Sequence, residues 1–193
     1  MRLYKLSLLA VLLMFPAMAC RAQSFGLDAG QTSVLDAGFG YAYFHANAPP
    51  SGCGCFSLNG GYANLVFHSV HGIALVADLT TAHANNINGT TQNVTVFDYL
   101  FGPRVYYHSS SHFTPYVQVL AGGSEEFSNY TYADGATDFA ASGGAGMSAR
   151  LSRHWGWNIV EGDYVYSRLP NGGNNRQSDL RVSTGIFFRL GQR

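Results

Sequence analysis

The chain has 193 residues, of which 47% are hydrophobic and 14% aromatic, and its eleven basic and eleven acidic residues give a formal net charge of zero. A chain of this length and apolar content forms one ordered domain or two small ones, which excludes disorder over most of its length. The sequence has no basic patch, so nucleic acid is not expected as a partner.

Residues 1–22 have the pattern of a secretory signal peptide. Basic residues precede an apolar run at 6–15, and small residues follow it. This run is too short to cross a membrane as a helix, and the chain has no other run of about 18 apolar residues. Cleavage after Ala22 would leave residues 23–32 as an N-terminal lead, whereas processing at Cys20, as in a lipoprotein, is the alternative. The pattern predicts an exported protein.

Eight segments that follow have the composition of β-strands, with Gly, Asn, Pro or Ser at their ends. The connections between them alternate strictly between long and short, as in an antiparallel up-and-down barrel of an outer membrane. We therefore predict an all-β fold, an eight-stranded antiparallel up-and-down transmembrane barrel, over residues 33–193. The predicted strands are 34–45, 61–70, 73–81, 94–107, 114–122, 139–151, 156–167 and 179–190.

Alternate residues of these segments form one oily face and one face of small and charged residues. In the fourth segment, Phe97, Tyr99 and Phe101 share a face, while Asp98 and Arg104 share the opposite one. A soluble lipocalin-like barrel would show the same alternation with its faces exchanged. A face in water normally carries many lysines, but the only lysine of the chain lies in the predicted signal peptide. This composition favours a membrane barrel with the charged face inward.

Nine ionisable residues fall on the predicted inward face. An isolated charge in a narrow lumen costs several kcal/mol, so we expect these groups to pair. The interpretation that follows is a structural ion-pair network that closes the lumen, and a selective ion path is the functional alternative. The predicted network contains Asp36, Asp78, Asp98, Arg104, Arg150, Glu161, Asp163, Arg181 and Arg189.

Two other groups of residues could carry chemistry. The "GCGC" motif places Cys53 and Cys55 in the first long loop, where a local disulfide is possible and a metal site would need further ligands. The "HSSSH" motif offers His108, Ser110 and His112, but it falls on a short turn and no acidic residue accompanies it. We therefore expect no catalytic residues, no cofactor and no metal, and the chain is not predicted to be an enzyme.

The chain resembles the small outer-membrane β-barrel proteins of the OmpA transmembrane-domain type. The resemblance rests on the eight strands, the alternating loops and the motifs "GDYVYSRL", "GPRVYY" and "LRVSTGIFFRLG". The last motif is similar to the C-terminal strand signal that the barrel assembly machinery reads, with Phe188 and Leu190 as its outward residues. The motif "GQR" follows it, so this chain departs from the usual pattern of a terminal aromatic residue.

This resemblance implies a protein of the outer membrane of a Gram-negative-type bacterium. Its expected partners are outer-membrane lipid and the barrel assembly machinery, and we expect a monomer. The expected role is structural or one of surface interaction, although the sequence does not identify a ligand of the surface loops. A porin-like channel for small solutes is the alternative, and a lipid-modifying enzyme is a third class.

Overall fold

A computed structural model of the protein describes residues 34–46, 55–69, 72–89, 91–107, 112–129, 135–169 and 176–190. Eight antiparallel strands pair with their neighbours along the chain, and the pairing of β1 with β8 closes the barrel. The predicted eight-stranded up-and-down barrel is thus confirmed. The strands are β1 (Val34–Ala46), β2 (Phe56–His68), β3 (Ile73–Ala84), β4 (Val94–Tyr106), β5 (Phe113–Ser128), β6 (Ala136–Arg150), β7 (Trp155–Ser167) and β8 (Gln177–Leu190).

The two ends of the barrel differ in the length of their connections. At one end of the barrel the strands are joined by short connections, 69–72, 107–112 and 151–154, and β1 begins and β8 ends there; we call this end the short-turn rim. At the other end, the long-loop rim, the connections are 47–55, 85–93, 129–135 and 168–176, and their described residues include a short 3₁₀ helix, Ile87–Gly89. No helix among the described residues is long and apolar enough to cross a membrane.

Several strands extend further toward the long-loop rim than the sequence predicted. Strand β2 begins at Phe56 instead of residue 61, and β5 ends at Ser128 instead of residue 122. The extension of β5 is paired on both sides: Glu125 and Glu126 lie opposite β4 on one side and β6 on the other. Acidic residues give this stretch the composition of a loop, but the neighbouring strands satisfy its backbone hydrogen bonds.

The outward face is a continuous apolar surface to which every strand contributes. Val119 is 64% exposed and Leu75 is 59% exposed, and Phe39 and Tyr164 are exposed to a similar degree. Proteins in water rarely expose apolar patches of this extent. The alternation of apolar outward and polar inward residues is the pattern of an outer-membrane barrel in lipid.

A β-bulge in β7 changes which residues of that strand point into the lumen. The register shifts between Asn158 and Glu161, so two residues of β7 lie opposite one residue of β8. Gly156 and Asn158 point inward before the bulge, and Glu161 and Asp163 point inward after it. The extra residue therefore brings Asn158 onto the same face as two acids from which strict alternation would separate it.

Candidate functional site

Arg181 of β8 is the centre of a buried ion-pair network in the lumen. Its side chain is 1% exposed and lies 2.7 Å from Asp78 Oδ1 and 2.8 Å from Asp163 Oδ2. It also lies 3.4 Å from Glu161 Oε1 and donates to the hydroxyl of Thr80 at 2.8 Å. One guanidinium group therefore contacts three carboxylates from β3 and β7 and one hydroxyl, and its fork of N–H donors can serve all of them.

Arg104 of β4 is the second cation of this network. It donates to Gln118 Oε1 at 2.6 Å and 2.9 Å, and its Nη2 lies 2.9 Å from Glu161 Oε2. Its guanidinium carbon lies 4.1 Å from the centre of the Tyr116 ring, a cation–π contact. The Tyr116 ring thus covers one face of the charged group, and Arg104 is 5% exposed.

Glu161 and Gln118 join the two arginines into one network. Glu161 contacts both arginines and lies 2.6 Å from the hydroxyl of Tyr116, while Gln118 donates to Asp163 at 2.8 Å. The contacts run from β3 through β7 and β8 to β4 and β5 without interruption. Buried charges of this kind are stable only as a set, because each would otherwise lose its hydration without compensation.

A second ion-pair cluster lies at the short-turn rim. Asp36 of β1 accepts from Arg189 Nε at 2.9 Å and from Nη2 at 3.0 Å. The same carboxylate lies 2.8 Å from His68 Nε2, and the His68 ring stacks on Tyr106 with 5.2 Å between ring centres. This cluster is partly open to solvent, since the Arg189 side chain is 23% exposed.

Two of the nine predicted residues lie outside these ion pairs. Asp98 is buried but accepts a hydrogen bond from Ser124, and no cation pairs with it among the described residues. Arg150 differs more from the prediction: it is exposed and forms no ion pair with any described residue. Its position explains the difference, because it is the last residue of β6, at the edge of the barrel where water can solvate the charge.

The sequence prediction missed the neutral members of the network. Thr80, Tyr116 and Gln118 follow the inward alternation of their strands, but the predicted network contains only residues that carry a charge. Their positions in the alternation of each strand would have identified them as inward-facing residues. Asn158 is different, because it lies before the bulge of β7 and no feature of the sequence marks where the alternation shifts.

The predicted loop disulfide stays a prediction. Cys53 lies outside the described residues, as do the predicted signal peptide at 1–22 and the lead at 23–32. Cys55 lies directly before β2 and is exposed.

Above the network, toward the long-loop rim, the lumen is filled by an apolar plug. Phe44 of β1 is the cross-strand partner of Arg181, so the plug lies directly against the ion pairs. Ile87 of the 3₁₀ helix belongs to the same cluster, which shows that the loop at 85–93 folds over the lumen. The plug consists of Ala42, Phe44, Ala46, Leu58, Tyr62, Ala82, Ala84, Ile87, Val94 and Val165.

Below the network the lumen is open. A cavity of about 480 Å³, which we call the vestibule, reaches the short-turn rim. Tyr62, Arg104 and Asn158 line its inner part, and Arg150, Arg153 and Arg189 line its outer part. The described lining contains no residue of the long-loop rim, so the vestibule is a pocket with one entrance.

Solved structures of small outer-membrane proteins are similar to this barrel. Neisserial surface protein A gives a TM-score of 0.63 at 12% identity, covering 81% of this chain and 97% of its own. Ail, the attachment invasion locus protein of Yersinia pestis, gives 0.58 at 12% identity and covers 83% and 100%. The outer membrane protein OprG of Pseudomonas aeruginosa gives a TM-score of 0.55 at 11% identity, covering 84% of this chain and 98% of its own. The chain therefore has the fold of small eight-stranded outer-membrane β-barrel proteins.

This finding confirms the predicted resemblance, and the apolar outward face agrees with the predicted location in the outer membrane. No protein-family model matches the chain, and no curated protein sequence matches it. At such low identity the solved structures share the fold with this chain, and the residues of the lumen must be understood from their own contacts.

Proposed function

We propose that this outer-membrane barrel does not conduct and that its role is structural or one of interaction at the cell surface. The observation that carries the proposal is the layered filling of the lumen. Arg181, with three carboxylates around it, spans the barrel interior, and the apolar plug covers it toward the long-loop rim. Eight strands enclose only enough space for side chains, so a continuous water column has no room beside these groups.

The long-loop rim is the surface that remains for an interaction outside the cell, because short turns face the periplasm in barrels of this type. Its polar side chains hold neighbouring loops together. Asn129 accepts from the backbone of Asn93 at 2.9 Å and donates to the carbonyl of Thr91 at 2.8 Å. A surface of fixed geometry supports recognition of a partner, and the name of Ail describes a surface role on the same fold.

The proposal also includes a monomeric state and no enzymatic activity. Barrel closure leaves no free strand edge, because β1 is paired with both β2 and β8, and this supports a monomer. His108 and Ser110 of the "HSSSH" motif lie outside the described residues. His112 is exposed at the short-turn rim and forms no ion pair with a described carboxylate.

Planar-bilayer recording of the refolded mature protein tests the closed lumen. We expect no steady conductance, provided that the same preparation shows the altered gel migration of a folded barrel before boiling. A porin recorded in the same bilayers controls for detection. Reproducible current steps in repeated insertions would contradict the proposal and favour the small-solute channel.

A further inference from the structure

The vestibule has the size of a ligand pocket, and neither the structural role nor the surface role uses it. Its volume of about 480 Å³ lies within the range of small-molecule sites. Aromatic and polar side chains line it together, among them Tyr62, Tyr106 and Phe187. A pocket of this kind with one entrance holds a ligand in contact with several walls.

Positive charge dominates the described lining of the vestibule. Four arginines line it, and Asp36 is its only acid among the described residues. Asp36 already binds Arg189 and His68. Arg150 and Arg153 form no ion pair with any described residue, so two guanidinium groups at the mouth lack a partner within the described part of the chain.

A neutral polar side chain inside the vestibule is also unpartnered. Asn64 of β2 is 8% exposed and lines the cavity, and its amide makes no hydrogen bond to a described residue. Gly38 provides the space for this amide, because a Cβ at that position would lie 2.4 Å from Asn64 Oδ1. Buried amides normally find partners, so an amide left open to a cavity is available to a ligand.

From these observations we propose that the vestibule binds a small anion that carries two or more carboxylate or phosphate groups. Arg150 and Arg153 attract it at the mouth, and the Asn64 amide contacts it inside. Two guanidinium groups that form no ion pair among the described residues match a ligand with at least two negative charges, because each binds one oxyanion group through parallel N–H donors. Both a soluble periplasmic solute and a lipid headgroup can carry such oxyanion groups.

Citrate is the probe that tests the site, with the full mature protein in nanodiscs of zwitterionic lipid at low salt. Calorimetry should show saturable binding. The double variant Arg150→Gln/Arg153→Gln should bind at least about tenfold more weakly, since each lost charge-assisted hydrogen bond is worth a factor of this order. Asn64→Ala should also weaken binding, and Arg150→Lys/Arg153→Lys should recover part of it.

The matched control is Arg168→Gln, which removes the same charge at an exposed position beside the long-loop rim. This variant should bind citrate as the parent does. Heat-dependent gel migration of every variant shows that each barrel has folded. Absence of citrate binding to the folded parent, or equal weakening by Arg168→Gln, would overturn the proposal.

A second arm distinguishes the two sources of the anion. The titration is repeated in nanodiscs that contain cardiolipin, an anionic lipid whose headgroup carries two phosphate groups. Unchanged citrate affinity supports a soluble ligand. If the anionic lipid lowers the citrate affinity of the parent but not that of Arg150→Gln/Arg153→Gln, a lipid headgroup is supported as the occupant of the same site. Neither result depends on whether the lumen conducts, so failure of this inference is separate from failure of the closed-lumen proposal.

Discussion

Arg181 and Arg189 lie on the same face of the same strand, and both contact aspartates, but they occupy different halves of the lumen. Arg181 lies beneath the apolar plug with its side chain 1% exposed, and it needs three carboxylates and a hydroxyl. Arg189 lies in the vestibule with its side chain 23% exposed, and one aspartate is enough. The difference shows that hydration sets how many partners a lumen charge requires.

The largest expected effect is that of Arg181→Ala, because it leaves three carboxylates without their shared cation. Breaking a buried ion pair by removing one partner costs about 3 to 5 kcal/mol. The free energy of unfolding in urea, measured from phospholipid vesicles, should fall by that amount. A loss below about 1 kcal/mol, the range of exposed pairs, would show that water already enters this half of the lumen.

Leu58→Ala tests whether the plug is packed as a protein core. Leu58 is 2% exposed within the plug, and removal of a buried leucine side chain costs about 2 to 5 kcal/mol. The matched control is Leu75→Ala, because Leu75 is 59% exposed on the outward face. Equal losses of unfolding free energy in the two variants would contradict the assignment of Leu58 to a packed plug.

Ile186→Arg tests whether the folded barrel tolerates a charge only on the inner face of β8. Ile186 lies on the outward face between the two arginines of the strand and is 38% exposed. An arginine near the membrane midplane of a barrel costs about 2 to 4 kcal/mol. Folding yield and unfolding free energy in vesicles should both decrease, while Ile186→Leu should behave as the parent does. Unimpaired folding of Ile186→Arg would mean that the faces are assigned incorrectly.

Arg189→Ala should have the smallest effect. Its ion pair with Asp36 lies in the open half, where Arg189 is partly exposed and Asp36 keeps its contact with His68, so the loss should be well below that of Arg181→Ala. The comparison with Arg181→Ala measures the effect of the same substitution, on the same strand, in the two halves of the lumen. If both variants lost the same free energy, the distinction between the two halves would fail.

Much of the inner face could be predicted because strand alternation is a local property of the sequence. Asp78 and Arg181 are distant along the chain, yet each was placed inward from its own strand alone. Their pairing could not be predicted, because it depends on how the strands are staggered around the closed barrel. The bulge at Ile159 could not be predicted either, because no feature of the sequence marks where the alternation of β7 shifts.

The division into plug and vestibule was likewise not predictable. It arises because Ile87 folds inward from a loop and because glycines such as Gly38 leave space below the network. Neither residue stands out in the sequence. The exposure of Arg150 at the rim could not be predicted, because alternation assigns a face but does not measure the distance from the rim.

Thiol accessibility in nanodiscs, which expose both rims to solvent, tests most directly whether the lumen is sealed on one side and open on the other. Cysteine is introduced either at Asn64 in the vestibule or at Val165 in the plug, after the native cysteines have been replaced by serine. We predict that Asn64→Cys reacts readily with a charged methanethiosulfonate reagent, while Val165→Cys reacts only after unfolding. Comparable rates at the two positions in the folded barrel would contradict the sealed lumen.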